Sequence, residues 1–136
     1  PGRLTLIHRM GHAKIAAALP PLLEAVKREG RRVLWVAAPL PGPPARPSHG
    51  YKTRRFDNIS GELDQAFDIH ASVGTRLGGV HLELTGEDVT ECMGGARDLS
   101  ETDLDRAYKS MVDPRLNYEQ SLELAMLIVR KSDGMA

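Results

Sequence analysis

Apolar residues in this chain form short continuous runs that alternate with stretches of helical spacing. Residues 4–9 and residues 32–39 are such runs, and each predicts a buried β-strand. Between them, Pro20 and Pro21 are expected to restart the helix at its first turn, where a helix tolerates proline, and Gly30 is expected to close it. The apolar positions at helical spacing are Ile15, Leu19, Leu22, Leu23 and Val26. This part of the chain therefore predicts a strand, a helix and a second strand.

The same pattern recurs in the middle of the chain. Residues 57–73 carry one apolar stripe, which predicts a second helix that ends at Gly74. Gly78 and Gly79 are expected to form a turn ahead of a third strand at residues 80–84. The stripe consists of Ile59, Leu63, Phe67, Ile69 and Val73. These features predict a second helical crossover between strands.

Two polar pairs predict helix starts in the last third of the chain. Ser100 followed by Asp103 can cap a short helix, and Asn117 followed by Gln120 resembles a capping box ahead of the apolar residues 121–130. The order is then three βα units within a single domain over residues 1–136. Parallel strands joined by helical crossovers indicate an α/β fold, either an open sheet or a piece of a barrel.

Composition excludes several classes of protein. Lys plus Arg and Asp plus Glu both number 18, so no net charge attracts the chain to nucleic acid or to anionic lipid. The longest apolar run, residues 33–40, is far shorter than the roughly 20 residues of a membrane-spanning helix, and no basic-then-apolar leader opens the sequence. We therefore expect a cytoplasmic protein. The single cysteine, Cys92, excludes an internal disulfide and is expected to be an ordinary thiol near a turn.

Several strings of residues resemble class II DAHP (3-deoxy-D-arabino-heptulosonate 7-phosphate) synthases. The resemblance runs from about residue 3 to about residue 129, so it covers nearly all of the chain. The matching strings are Arg9-Met10-Gly11, Leu19-Pro20-Pro21, Lys52-Thr53-Arg54, Gly78-Gly79-Val80-His81, Thr85-Gly86, Thr90-Glu91-Cys92, Asp113-Pro114-Arg115-Leu116-Asn117 and Gln120-Ser121-Leu122-Glu123-Leu124-Ala125.

The resemblance implies a piece of a larger fold. Family members are eight-stranded (β/α) barrels that condense phosphoenolpyruvate with erythrose 4-phosphate, and this chain matches only their last three βα units. A complete barrel takes about 250 residues, so three strands leave both sheet edges open. The expected fold is a partial (β/α) barrel with parallel strands, completed or covered by self-association or by docking on a larger relative.

Arg9 is the clearest candidate for binding an anion. It matches the family arginine that binds the phosphate of phosphoenolpyruvate, and a planar guanidinium that stays charged suits that task. The alternative is an arginine that only pairs with a carboxylate. His8 should face away from Arg9 by strand alternation, so we interpret it as a structural histidine, with an acid–base group as the alternative.

The loop after the second strand departs from the family pattern. Family members read Asp-Pro-Met-His-Gly-Asn-Thr where this chain reads Ala38-Pro39-Leu40-Pro41-Gly42-Pro43-Pro44. The family's metal-binding histidine is therefore replaced by Pro41 and its aspartate by Ala38. Neither side chain carries a lone pair, so the metal chemistry of the family should be lost or badly weakened here.

Two other family metal ligands are retained as Glu83 and Asp113, whereas the fourth, a cysteine, belongs to a part that this chain does not match. Glu83 and Asp113, with His81 on the same strand face as Glu83, are the candidate catalytic residues. The two carboxylates are also candidate ligands for a weakly held divalent cation such as Mn²⁺, Mg²⁺ or Co²⁺. No other cofactor is expected.

A basic string, Lys52-Thr53-Arg54-Arg55, is the second candidate for binding an anion. Lys52 and Arg54 can hold a phosphate or carboxylate if the preceding loop covers the pocket, but a solvated basic stretch explains them almost as well. Glu87 and Glu91 fit either acid–base chemistry or the capping of a loop.

The sequence thus indicates a divergent, truncated relative of DAHP synthase that acts on a small carboxylated or phosphorylated metabolite. Aldol-type, isomerase or dehydratase chemistry in a shikimate-related or specialised aromatic pathway suits the retained groups. The alternative is a non-catalytic module that binds and regulates a partner enzyme. Expected partners are a small anionic metabolite and a second copy or a larger relative, without nucleic acid or membrane.

Overall fold

The computed structural model describes residues 3–39 and 50–133. Three parallel strands form one sheet in the order β1 (Thr5–His8), β2 (Leu34–Ala37) and β3 (Leu77–Val80). Thr5 pairs with Leu34, and Trp35 pairs with Leu77. The predictions of an α/β fold and of strands within residues 4–9 and 32–39 are confirmed. The substituted loop that contains Pro41 lies outside the described residues.

In the described part of the chain, three α-helices accompany the strands. They are α1 (Ile15–Arg28), α2 (Phe56–Val73) and α3 (Tyr118–Asp133), and a 3₁₀ helix at Glu101–Arg106 precedes α3. The chain therefore contains three successive βα units, as the hydrophobic pattern predicted. Completion of a barrel by association remains a prediction.

The predicted place of the proline pair was wrong, since Pro20 and Pro21 lie inside α1 rather than in its first turn. Each proline removes the hydrogen bond to the carbonyl four residues earlier, on Ala16 and Ala17. Both alanines are exposed, so water can bind these carbonyls. The helix also buries Leu19 and Leu23 on either side of the pair, and this packing favours a continuous helix.

The third strand lies earlier than predicted: it spans Leu77–Val80, so only Val80 of the predicted residues 80–84 belongs to it, and His81 and Glu83 lie beyond its end. Gly78 and Gly79 belong to β3 and do not form a turn before it. A Cβ atom on Gly78 would lie 2.4 Å from Cδ1 of Leu34, so the leucine side chain of β2 occupies the space above this glycine. A shift in register beside Trp35 and Val36 accompanies the glycine pair. Glycine here allows close packing between strands.

The predicted helix ends are confirmed. Gly30 has a φ of +63° just after α1, and Gly74 is the left-handed C-cap of α2 with a φ of +73°. Ser100 and Asp103 form a capping box at the 3₁₀ helix. The amide of Asn117 donates to Oε1 of Gln120 at 3.1 Å while the amide of Gln120 donates to Oδ1 of Asn117 at 2.9 Å, a reciprocal cap on α3.

The hydrophobic core lies between the sheet and the helices. It includes apolar residues from the three α-helices and from β2 and β3, among them Ile15, Leu19, Leu23, Trp35, Ala37, Ile59, Leu63, Phe67, Leu77, Leu116 and Leu124. The opposite face of the sheet is open: the side chains of Ile7 and Leu34 are 58% and 45% exposed. One sheet face is therefore packed and the other is available for contact.

Within residues 3–39 and 50–133, none of the helices is both long enough and apolar enough to span a bilayer.

Candidate functional site

The carboxyl ends of the parallel strands place the predicted site residues at one edge of the sheet. Arg9 directly follows β1, and His81 continues the ladder past β3 through a 2.8 Å hydrogen bond from its amide to the carbonyl of Ala37. Leu84 forms a parallel bridge with Leu116, which brings the segment of Asp113 beside the segment of Glu83. Ligands of α/β folds bind at this edge.

Arg54 occupies the centre of this edge. Its Nη1 donates to Oε2 of Glu83 at 2.7 Å and to the carbonyl of Pro114 at 3.0 Å. Its Nη2 lies 3.7 Å from Oδ2 of Asp113. The Arg54 side chain is 5% exposed, and its Nε is buried without a hydrogen-bond partner among the described residues. One guanidinium therefore joins the two family carboxylates.

Lys52 completes a cluster of two cations and two carboxylates, with its Nζ 3.6 Å from Oδ1 of Asp113. Both of these side chains are more than 40% exposed. The hydroxyl of Tyr108 donates to the carbonyl of Lys52 at 2.7 Å, and its ring stacks on Tyr51 with 4.5 Å between the ring centres. The lysine backbone is thus held in place, while its ammonium group remains accessible to solvent.

The loop that carries Asp113 is organised by Glu91, whose side chain is fully buried. Its Oε2 accepts hydrogen bonds from the amides of Lys109 and Ser110, and its Oε1 accepts one from the amide of Arg115. The Arg115 guanidinium adds two more, at 2.9 Å each. Of the two interpretations of Glu91, the structure supports the organisation of a loop.

The electrostatics of Glu91 follow from these contacts. Burial by itself raises the pKa of this carboxyl, but the hydrogen bonds from Arg115 and from the Lys109 amide, with the Arg115 charge, outweigh burial and lower its pKa. Glu87 is exposed and pairs with Lys109 at 2.6 Å, which lowers the pKa of Glu87. Both carboxylates therefore remain ionised near neutral pH.

A second buried carboxylate, Glu62, positions the loop after Arg9. Its Oε1 accepts hydrogen bonds from the amides of Met10 and Gly11, both at 2.9 Å. This role of Glu62 was not predicted from the sequence. Its position could have indicated the role, because Glu62 lies three residues after Ile59 on the buried stripe of α2. A carboxylate that is buried there requires a hydrogen-bond partner.

His8 faces the core, as strand alternation predicted, while Arg9 is exposed. Nε2 of His8 lies 3.4 Å from Nε2 of His70, whose Nδ1 is 2.8 Å from the Thr75 hydroxyl. Burial lowers the pKa of both histidines to about 4, and at His70 the charge of His8 adds to this effect. These are neutral structural groups packed beside Trp35.

The structure separates some of the predicted site residues. Lys52, Arg54, Glu83 and Asp113 meet in one cluster. Arg9 and His81 are exposed at the same sheet edge, but within the described part of the chain neither forms an ion pair with that cluster. Their roles remain predictions.

The metal site implied by the family does not fit the described residues. Glu83 and Asp113 are each already paired with a cation, and the described ranges hold no group of three or more His, Cys, Asp or Glu side chains able to hold a metal ion. Cys92 is buried, which raises the pKa of its thiol to about 12 and keeps it protonated. A divalent ion would require ligands from another segment or another subunit.

Comparison with known proteins shows the family. The model of the class-II DAHP synthetase family matches residues 1–129, so the chain belongs to that family. The chain is 51% identical over 128 residues to the phospho-2-dehydro-3-deoxyheptonate aldolase AroG of Mycolicibacterium smegmatis. It is 48% and 46% identical to phospho-2-dehydro-3-deoxyheptonate aldolases of Streptomyces coelicolor and Streptomyces lividans.

The extent of these matches differs between relatives. Each alignment covers 94% of this chain. The chain spans 28% of the length of the Mycolicibacterium and S. coelicolor proteins, and 87% of the S. lividans sequence. The family is thus shown for this chain, while two of the three relatives are more than three times as long as the matched region.

Proposed function

We propose that this chain provides the C-terminal part of a DAHP synthase-type barrel and that its strand-end cluster binds a small phosphorylated or carboxylated metabolite. The observation that carries this proposal is the cluster of Lys52, Arg54, Glu83 and Asp113 at the carboxyl edge of the sheet. A cationic group beside two carboxyl groups suits a substrate that is both anionic and a donor or acceptor of protons.

The proposed roles follow from burial. Lys52 and Arg9 are accessible and bind the anionic group of the substrate. Arg54 is buried, so its proposed role is to position Glu83 and Asp113. Its positive charge also adds to the positive potential at the anion site. Glu83, Asp113 and His81 are the groups available for proton transfer at this edge.

The substituted loop at Ala38 and Pro41 favours altered chemistry over the reaction of complete family members. Removing the histidine and aspartate leaves the arginine and both acids in place. Aldol-type, isomerase or dehydratase chemistry requires an anion site and acid–base groups, and these are the groups that are retained. A shikimate-related or specialised aromatic pathway is the proposed setting, by analogy with the family.

Calorimetric titration with phosphoenolpyruvate tests the anion site directly. The wild-type chain should bind, and Lys52→Gln and Arg9→Ala should each weaken binding by about tenfold or more, which corresponds to losing one charged hydrogen bond. Arg28→Gln is the control, since Arg28 lies at the end of α1 away from the strand-end edge. Equal affinity of all four proteins would exclude this site.

A non-catalytic binding module is the second candidate, favoured by the open sheet face. Ile7 and Leu34 expose apolar surface there, and within residues 3–39 and 50–133 the sheet of three strands has two unpaired edges. Under this proposal the chain forms a homo-oligomer or docks on a larger relative. Light scattering at micromolar concentration, with and without a full-length class-II DAHP synthase, tests this: a monomer under both conditions contradicts the module.

A further inference from the structure

A second charged groove lies at the opposite end of the strands from the candidate site. Its volume is about 520 Å³. Among the described residues that line it, four are cationic and none is an aspartate or a glutamate. The four cations are Lys27, Arg31, Arg32 and Arg76.

The cations meet in this groove because of the topology. Arg31 and Arg32 lie in the connection from α1 to β2, and Arg76 directly precedes β3. Since β2 and β3 are adjacent parallel strands, with Trp35 paired to Leu77, the two connections approach the same edge of the sheet. The connection before β2 and the connection before β3 therefore both contribute arginines to this groove.

One of these charges already has a structural role. Nζ of Lys27 donates to the carbonyl of Val73 at 2.9 Å, at the C-terminal end of α2, where a cation stabilises the helix. The three arginines are exposed, and no described carboxylate forms an ion pair with any of them. Because all three line the same groove, a bound anion would reduce the repulsion between their like charges.

The groove is also largely apolar. Leu23 and Trp35 form a buried floor, and the exposed side chain of Leu34 lies at one side of the groove. We propose that this groove binds a small amphipathic anion, with Arg31, Arg32 and Arg76 contacting a carboxylate or phosphate and the apolar residues contacting the body of the ligand. Arginine forks suit either anion. The proposal is independent of the strand-end site.

NMR titration of the full chain tests the proposal. The probes are phenyl phosphate, phenylacetate, inorganic phosphate and benzyl alcohol. Changes in amide chemical shift are expected at Leu34, Thr75 and Arg76. The preferred anion is a phosphate if phenyl phosphate binds more tightly than phenylacetate, and a carboxylate if phenylacetate binds more tightly. Both aromatic anions should bind more tightly than inorganic phosphate or benzyl alcohol. Inorganic phosphate binding as tightly as phenyl phosphate would overturn the amphipathic ligand.

Charge variants supply the second measurement. R32Q/R76Q should lower the affinity for phenyl phosphate at least tenfold, whereas the control R28Q/R130Q, which removes the same charge outside the groove, should stay within about twofold. If circular dichroism shows that R32Q/R76Q is unfolded, R76Q alone is used, with an expected loss of at least threefold. Unchanged affinity in the folded variant, or shifts confined to Lys52 and Asp113, overturns the proposal.

Discussion

The buried guanidinium of Arg54 donates a 2.7 Å hydrogen bond to Glu83, a residue 29 positions later in the chain. The Glu83 side chain is 31% exposed, so the buried Arg54 is hydrogen-bonded to a carboxylate that solvent can reach. This contact links the segment that precedes α2 to the segment that follows β3. It therefore determines where the retained family carboxylate lies at the sheet edge, and it can be tested by removing the arginine.

Replacing Arg54 with alanine should lower the free energy of unfolding by about 2–4 kcal/mol, because Glu83 and Asp113 lose their shared cation and the carbonyl of Pro114 loses a donor. Urea unfolding followed by circular dichroism measures this. Arg55→Ala is the matched control, because the side chain of Arg55 is exposed. This substitution should change the free energy of unfolding by less than about 0.5 kcal/mol. Similar values for both variants would contradict the structural role of Arg54.

Glu91→Gln should destabilise the chain by about 2–4 kcal/mol. The amide keeps the size of the side chain but loses the charge paired with Arg115, and it places an N–H group among donors. Glu87→Gln removes an equivalent charge at the exposed end of the same segment and should change stability much less than Glu91→Gln does. The comparison, again by urea unfolding, separates loop organisation from general charge loss.

Stability should fall as pH decreases from about 6.5 to about 4. In that interval the unfolded chain protonates His8 and His70, whose folded pKa values are about 4, so the unfolded state binds more protons. Each histidine contributes a slope of up to about 1.4 kcal/mol per pH unit. Unfolding free energies at pH 7 and pH 5 should differ less in His8→Gln. An equal pH dependence in the variant would exclude the buried pair as its source.

The lowered pKa of Glu91 acts in a different interval. Its contribution to stability is present above its unfolded pKa, near 4.5, and is lost as pH falls through the lower folded value. The two effects are therefore separable on one pH profile.

Gly95→Ala should lower the free energy of unfolding more than Gly30→Ala does. Both glycines have positive φ, +83° and +63°, so alanine strains the backbone at each by about 1 kcal/mol. A Cβ on Gly95 would also lie 2.9 Å from Cγ of Gln120, whose amide donates to the carbonyls of Cys92 and Gly94, whereas nothing lies within 4 Å at Gly30. Thermal unfolding should show Gly95→Ala to be the less stable variant by about 1 kcal/mol or more. The reverse order would contradict this packing.

Much of the secondary structure was predictable because it depends on local physics. Apolar spacing and the caps at Gly30, Gly74, Ser100 and Asn117 correctly predicted the helices, since these signals act within a few residues. The predicted limits of α1 and β3 were wrong, because packing outweighed the local preferences of proline and glycine. Pro20 and Pro21 continue α1 because the flanking leucines are buried, and Gly78 belongs to a strand because Leu34 covers it.

By itself the sequence determined the family, the three βα units and the identities of the retained polar residues, through local pattern and matching strings. Only the tertiary structure decided that Arg54 is buried between Glu83 and Asp113, that Glu91 holds the loop of Asp113, and that Arg32 and Arg76 share a groove. These contacts join residues 18 or more positions apart in the chain. Such pairings depend on how the strands align and which face each helix buries, and no local pattern of residues encodes them.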